Sequence, residues 1–136
     1  MAGSVLVDAS FLVALLRPAD SHHAWAAAQV TSYSLPWRTC EAVLSEAFFF
    51  LGERGTSSLS ALLRRKAVIA DFSLDNDLES VLRLVQKYVN VPMSLADACL
   101  VRMTEVLPDP IILSTDSDFR IYRRHGRQVI PCVLPS

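Results

Sequence analysis

The sequence predicts a three-layer α/β/α sandwich with a mainly parallel central sheet. Two short apolar runs, Val5-Leu6-Val7 and Ile111-Ile112-Leu113, have the continuous β-branched character of strands buried on both faces. Between and around them, apolar residues recur at helical spacing over longer stretches. Strands alternating with helices imply a parallel sheet covered by helices. At 136 residues, 51% hydrophobic and 20% charged, the chain is too apolar for disorder and suits one domain over residues 1–136.

In chain order, the first strand is Val5 to Val7 and ends at Asp8. Ser10 opens an apolar segment, Phe11 to Leu16, which Arg17-Pro18 stops. A helix is predicted over His22 to Val30, with Asp20 and Ser21 as candidate caps, and Ser34-Leu35 before Pro36 as a short strand. Thr39 to Arg54 is the clearest helix: Thr39 can cap it, Val43, Ala47, Phe50 and Leu51 share a face, and Gly55 ends it. A further helix over Ser57 to Lys66 leads to a strand at Ala67 to Phe72. Leu74 to Tyr88 carries a stripe of Leu78, Val81, Leu82, Val85 and Val89. Ser94 to Leu107 is a helix closed by Pro108 and Pro110, Ile111 to Leu113 is a strand, and Gln128 to Val133 is the last strand. With only four glycines and no Gly/Ser or Pro-rich tract, no linker or repeat divides the chain.

Thirteen basic residues against 14 acidic ones leave a net charge of −1, so any attraction of nucleic acid is local. The longest uncharged apolar stretch, Val5 to Leu16, is broken by Asp8 and Ser10 and falls short of the roughly 20 residues of a membrane span. No basic segment precedes an apolar one at the N-terminus, so no signal peptide is read. Three scattered cysteines, Cys40, Cys99 and Cys132, fit reduced core thiols in a cytoplasm. The expectation is a soluble cytoplasmic protein without a membrane partner.

Ligands of an open parallel sheet bind at the carboxyl ends of its strands. Asp8 follows the first strand, and Asp116 with Asp118 follow Ile111–Leu113. Glu46 and Asp97 sit on helices among apolar or small residues, where a carboxylate loses hydration and must be paired, protonated or bound to a cation. Read singly, Asp8 is equally a helix cap, Glu46 and Asp97 equally salt-bridge partners, and Asp116 and Asp118 equally turn formers. All five being structural at once is the less economical reading. His22 and His23 are adjacent and His125 is isolated, so no zinc set is present. Oxygen ligands suit Mg²⁺ or Mn²⁺, whose chemistry is that of phosphodiester hydrolysis.

These residues resemble the motifs of the PIN-domain family, in particular its VapC-type toxin ribonucleases. Val5-Leu6-Val7-Asp8-Ala9-Ser10 is similar to the family's opening strand and first acid. Leu44-Ser45-Glu46-Ala47, with Thr39 before it, resembles the helix bearing the second acid. Leu95-Ala96-Asp97-Ala98 and Leu113-Ser114-Thr115-Asp116-Ser117-Asp118-Phe119 resemble the third and fourth motifs. Four motifs in order and spacing are specific where each alone is weak. The resemblance implies that Asp8, Glu46, Asp97 and Asp116 hold one or two Mg²⁺ or Mn²⁺ ions, with Asp118 joining them or ordering the loop. It implies Ser10 and Ser114 as hydroxyls hydrogen-bonding the acids, an RNA substrate, a homodimer and a small VapB-type antitoxin.

Arg120, Arg123, Arg124 and Arg127 follow the last acidic motif and can grip RNA phosphates, or be a solvated face. Glu41, a rival to Glu46, is assigned to surface, and Arg64-Arg65-Lys66 to a helix C-terminus. Trp25, Trp37 and Phe48-Phe49-Phe50 read as core or interface, not as base-stacking platforms. Phe48 and Phe49 cannot both share the face of Phe50, so one is expected at a contact surface. A phosphoacceptor signalling domain would need a lysine after a late strand, and the only lysines are Lys66 and Lys87. A non-toxin PIN nuclease of RNA processing and a catalytically silent PIN-like binding module are the nearer alternatives.

Overall fold

The computed structural model describes residues 3–136. Its centre is a five-stranded parallel sheet flanked by helices, a PIN-like α/β/α arrangement. The strands are β1 (Ser4–Val7), β2 (Trp37–Thr39), β3 (Val68–Ala70), β4 (Pro110–Leu113) and, at the far edge, Cys132–Val133; a separate two-stranded hairpin pairs Arg123–Arg124 with Gln128–Val129. Numbered along the chain, the hairpin strands are β5 and β6 and the edge strand is β7, giving the order β3-β2-β1-β4-β7. All four residues of β1 are buried, as befits a central strand without a solvent face. Its register with β4 runs from Ser4 opposite Pro110 to Val7 opposite Leu113, which sets the residues following both strands side by side.

Five α-helices among the described residues complete the fold: α1 (Ala9–Leu16), α2 (His23–Gln29), α3 (Glu41–Arg64), α4 (Leu78–Lys87) and α5 (Leu95–Val106). Asp8 caps α1, its Oδ1 accepting from the Phe11 N–H at 2.9 Å. Ser94 caps α5 by accepting from the Asp97 N–H at 3.0 Å. Both caps satisfy donors that a first turn otherwise leaves orphaned. Phe11 forms the hub beside β1, meeting Trp25 and Trp37 edge to face at 5.8 and 5.5 Å between ring centres, a favoured aromatic geometry.

Several predicted boundaries move. The strand expected at Ser34-Leu35 forms instead at Trp37–Thr39, because the buried Trp37 and Thr39 give that segment its anchors. Thr39 does not cap α3: its hydroxyl donates to the Val7 carbonyl at 2.8 Å, tying β2 to β1, and Cys40 takes the cap position without a side-chain bond. Gly55 does not end that helix. The backbone breaks at Gly52, with φ 65° and ψ −157°, and α3 resumes to Arg64; this conformation is essentially confined to glycine. Gly55 lies within the resumed helix, where a Cβ would come 2.6 Å from that of Leu51. The last predicted strand is split, since Pro131 lies between β6 and β7 and has no N–H for a continuous ladder. On α4, Val81 is buried while Leu78 and Leu82 are exposed, so the inward face is narrower than the sequence stripe. Cys40 and Cys99 are buried free thiols and Cys132 is half-buried.

Candidate active site

Four predicted site acids reach one cavity of about 330 Å³ from four parts of the chain: Asp8 after β1, Glu46 on α3, Asp97 on α5 and Asp116 after β4. The β1–β4 ladder brings the two strand-end acids together, and the meeting of α3 with α5 brings the helical pair. Asp118 does not line the cavity. It sits in the short 3₁₀ turn Ser117–Arg120, its N–H donating to Asp116 Oδ1 at 2.9 Å and its carbonyl accepting from Ile121 and Tyr122. Glu41 is exposed.

Asp8 is 6% exposed and heavily hydrogen-bonded. Ser10 Oγ donates to its Oδ1 at 2.7 Å, and Ser114 Oγ donates to its Oδ2 at 2.5 Å. Both hydroxyls are also acceptors: Ser10 from the Thr115 N–H at 3.0 Å and Ser114 from the Asp116 N–H at 2.8 Å. This network fixes the Asp8 rotamer and the loop after β4 in a single act. Burial nevertheless pushes the Asp8 carboxyl up from 3.8 to about 6, against the lowering effect of the Ser114, Phe11 and Ser10 hydrogen bonds.

Asp97 is similar. Burial pushes it to about 6; the Tyr122 hydroxyl, donating to Oδ2 at 2.8 Å, opposes the rise, and the charges of Asp116, Asp8 and Glu46 add to it. Burial also raises Glu46. Asp118 is raised by burial and then by Asp116. Among the described residues, the ion pairs are Arg38–Asp71, Arg102–Asp77 and Arg102–Glu105. None includes a cavity acid, so like charges face one another without an ion-pair partner.

A hard divalent cation fits this donor set, which offers carboxylate oxygens and no sulfur or histidine cluster. The acids line the wall of the cavity rather than closing on a point: no three His, Cys, Asp or Glu side chains among the described residues form a ready-made metal cluster. A family model described as PIN domain matches residues 5–124. The chain belongs to the PIN-domain family. The matched span of this PIN domain contains the five predicted site acids, Asp8, Glu46, Asp97, Asp116 and Asp118, together with Ser10 and Ser114. No curated protein matches the chain. PIN domains form a nuclease superfamily, generally metal-dependent and acting on RNA. No helix among the described residues is long and apolar enough to cross a membrane.

The arginine group divides. Arg123 donates to the carbonyls of Arg120, Ile121 and Tyr122, which ties the hairpin to the turn before it, and Arg124 donates to the Thr104 carbonyl, which ties it to α5. Arg120 and Arg127 are exposed. Three contributors escaped the sequence reading. Tyr122 is fully buried, and in the sequence it is only an aromatic between Ile121 and Arg123. Arg17 and Phe50 line the acid cavity. Phe50 was expected on the core face of α3, yet it lies four residues beyond Glu46, on the flank that opens to the cavity. Phe48 is the one that packs on the core.

Proposed function

We propose that this PIN domain is a Mg²⁺- or Mn²⁺-dependent endoribonuclease, the toxin half of a VapBC-type pair, acting in the cytoplasm as a homodimer and restrained by a small VapB-type antitoxin. The observation that carries the nuclease reading is the single cavity lined by Asp8, Glu46, Asp97 and Asp116, without an ion-pair partner for any of them. The four-motif resemblance supports the toxin assignment.

In this reading the same four acids hold the cation. When bound, the cation supplies the charge that activates water and offsets charge building on the phosphodiester. Ser10 and Ser114 orient Asp8 and couple it to the Asp116 loop, and Tyr122 orients Asp97. Asp118 orders the turn that presents Asp116. Contact with RNA phosphates beside the cut falls to Arg120, in the turn before the hairpin, and to Arg127 at its tip, with Arg123 and Arg124 holding the hairpin in place.

The test is cleavage of RNA by purified wild-type protein and Asp97→Asn, each with Mg²⁺, Mn²⁺ or EDTA. Discrete fragments from wild type alone, abolished by EDTA, are expected. Equal background from both proteins would remove the catalytic reading and leave a binding module. Growth arrest on expression, relieved by a co-expressed neighbouring small protein, separates the toxin from a nuclease of RNA processing.

A further inference from the structure

Beside the acids, the cavity has an aromatic and cationic rim. Phe50 lines it and is 57% exposed; Phe49, 79% exposed, meets Phe50 edge to face at 5.4 Å between ring centres. Two adjacent phenylalanines in water are costly by the hydrophobic effect, and here the exposed pair abuts a polar, negatively charged site. Arg17 lines the same cavity. One of its guanidinium N–H groups donates to the Phe50 carbonyl, which ties the cation to the aromatic residue. Although it shares the cavity with Asp8, Asp20, Glu46, Asp97 and Asp116, Arg17 forms no ion pair among the described residues. A guanidinium has five N–H donors, so most of its capacity is left for a ligand. Arg17 also lines a neighbouring groove of about 840 Å³ where Arg54 stands.

An aromatic face next to a cation is the pair of groups that single-stranded nucleic acid uses: a base stacks and its phosphate is neutralised. A duplex keeps its bases stacked on each other and offers no free face. We propose that Phe50, backed by Phe49, seats an unpaired nucleobase of the RNA strand next to the scissile bond, with Arg17 gripping the adjoining phosphate. This rests on the ribonuclease reading and adds to it the residues that position the strand beside the acids. A protein partner on the same aromatics is the rival occupant; the continuity of Phe50 and Arg17 with the acid cavity favours RNA.

The experiment measures binding of a short fluorescent single-stranded oligoribonucleotide to the Asp97→Asn protein, with Phe50→Ala, Phe50→Trp and Arg17→Ala added in turn. Stacking is worth a roughly 5- to 150-fold loss of affinity in Phe50→Ala, retained affinity in Phe50→Trp, and quenching of the new indole by RNA. Arg17→Ala should flatten the salt dependence of binding. A matched RNA duplex should bind both Phe50 variants alike. Unchanged single-strand affinity in Phe50→Ala overturns the proposal, as does a change of oligomeric mass on gel filtration, which makes the pair a protein interface. Failure of single-stranded RNA to bind the Asp97→Asn parent overturns it too. Wild-type cleavage with an unaltered KM in Phe50→Ala removes the base seat and keeps the nuclease. Loss of affinity without any wild-type cleavage keeps the seat and removes the nuclease.

Discussion

Replacing Asp8 by Asn should make the protein more stable and inactive, with the gain confined to neutral pH. The side chain is buried, and its carboxyl is raised from 3.8 to about 6 chiefly by burial. A carboxyl that binds its proton more tightly when folded favours the fold below the unfolded value, and this advantage is lost as pH rises through about 6. At about 1.4 kcal/mol per tenfold change in proton affinity, the charge at pH 7.5 costs roughly 3 kcal/mol. Asparagine removes that charge. Its oxygen can still accept from Ser10 and Phe11, and its amide can donate to Ser114 Oγ. One amide hydrogen is left without a partner, so the net gain is about 1–3 kcal/mol. For a chain of 136 residues this raises Tm by roughly 4–10 °C. The assay is thermal unfolding of both proteins in EDTA at pH 7.5 and pH 4.0. At pH 4.0 folded wild type is already protonated at Asp8 and the difference should shrink to near zero. A lower or equal Tm for Asp8→Asn at pH 7.5, or an equal gain at both values, would refute the electrostatic account.

Adding Mn²⁺ at pH 7.5 should raise the wild-type Tm, with a stabilisation of about 2.7 kcal/mol at a hundred times Kd. At pH 5 the increment should be smaller because protons compete for Asp8 and Asp97, and in Asp8→Asn it should largely disappear. Tyr122→Phe removes the hydroxyl that holds the Asp97 carboxyl down; the acid limb of the pH–rate profile should move to higher pH, with about 1 kcal/mol lost in thermal unfolding. Gly52→Ala forces an L side chain into φ 65°, ψ −157° and should cost about 1–3 kcal/mol by chemical denaturation. Thr39→Val deletes the buried bond to the Val7 carbonyl and should cost a similar amount, of order 1–3 kcal/mol.

The parallel sheet was legible because β1 and β4 are buried on both faces and read as continuous apolar runs. Trp37–Thr39 was not, since three residues carry no period and Pro36 draws attention to the wrong side of itself. The kink at Gly52 was equally hidden: the apolar periodicity continues on both sides, and Gly55 has the better sequence credentials as a stop. At the site, Asp8, Glu46, Asp97 and Asp116 could be picked out because a carboxylate among apolar residues is conspicuous. Tyr122 and Arg17 could not. A tyrosine hydroxyl aimed at Asp97 and a guanidinium beside Phe50 depend on contacts between α5, the turn after β4, α1 and α3, which no local pattern encodes.

The pairing of β1 with β4 has a consequence for how the protein comes into being. Ser114 Oγ and Asp8 Oδ2 are 106 residues apart in the chain, and the acid cavity has no fourth wall until the segment after β4 exists. A chain emerging from the ribosome therefore has no complete site until the residues after β4 have followed β1 by more than a hundred positions. Closing so long a loop also slows folding, because the loop entropy must be met before β1 finds its neighbour. Assembly of the cavity thus waits on the segment after β4, a delay imposed by strand order alone.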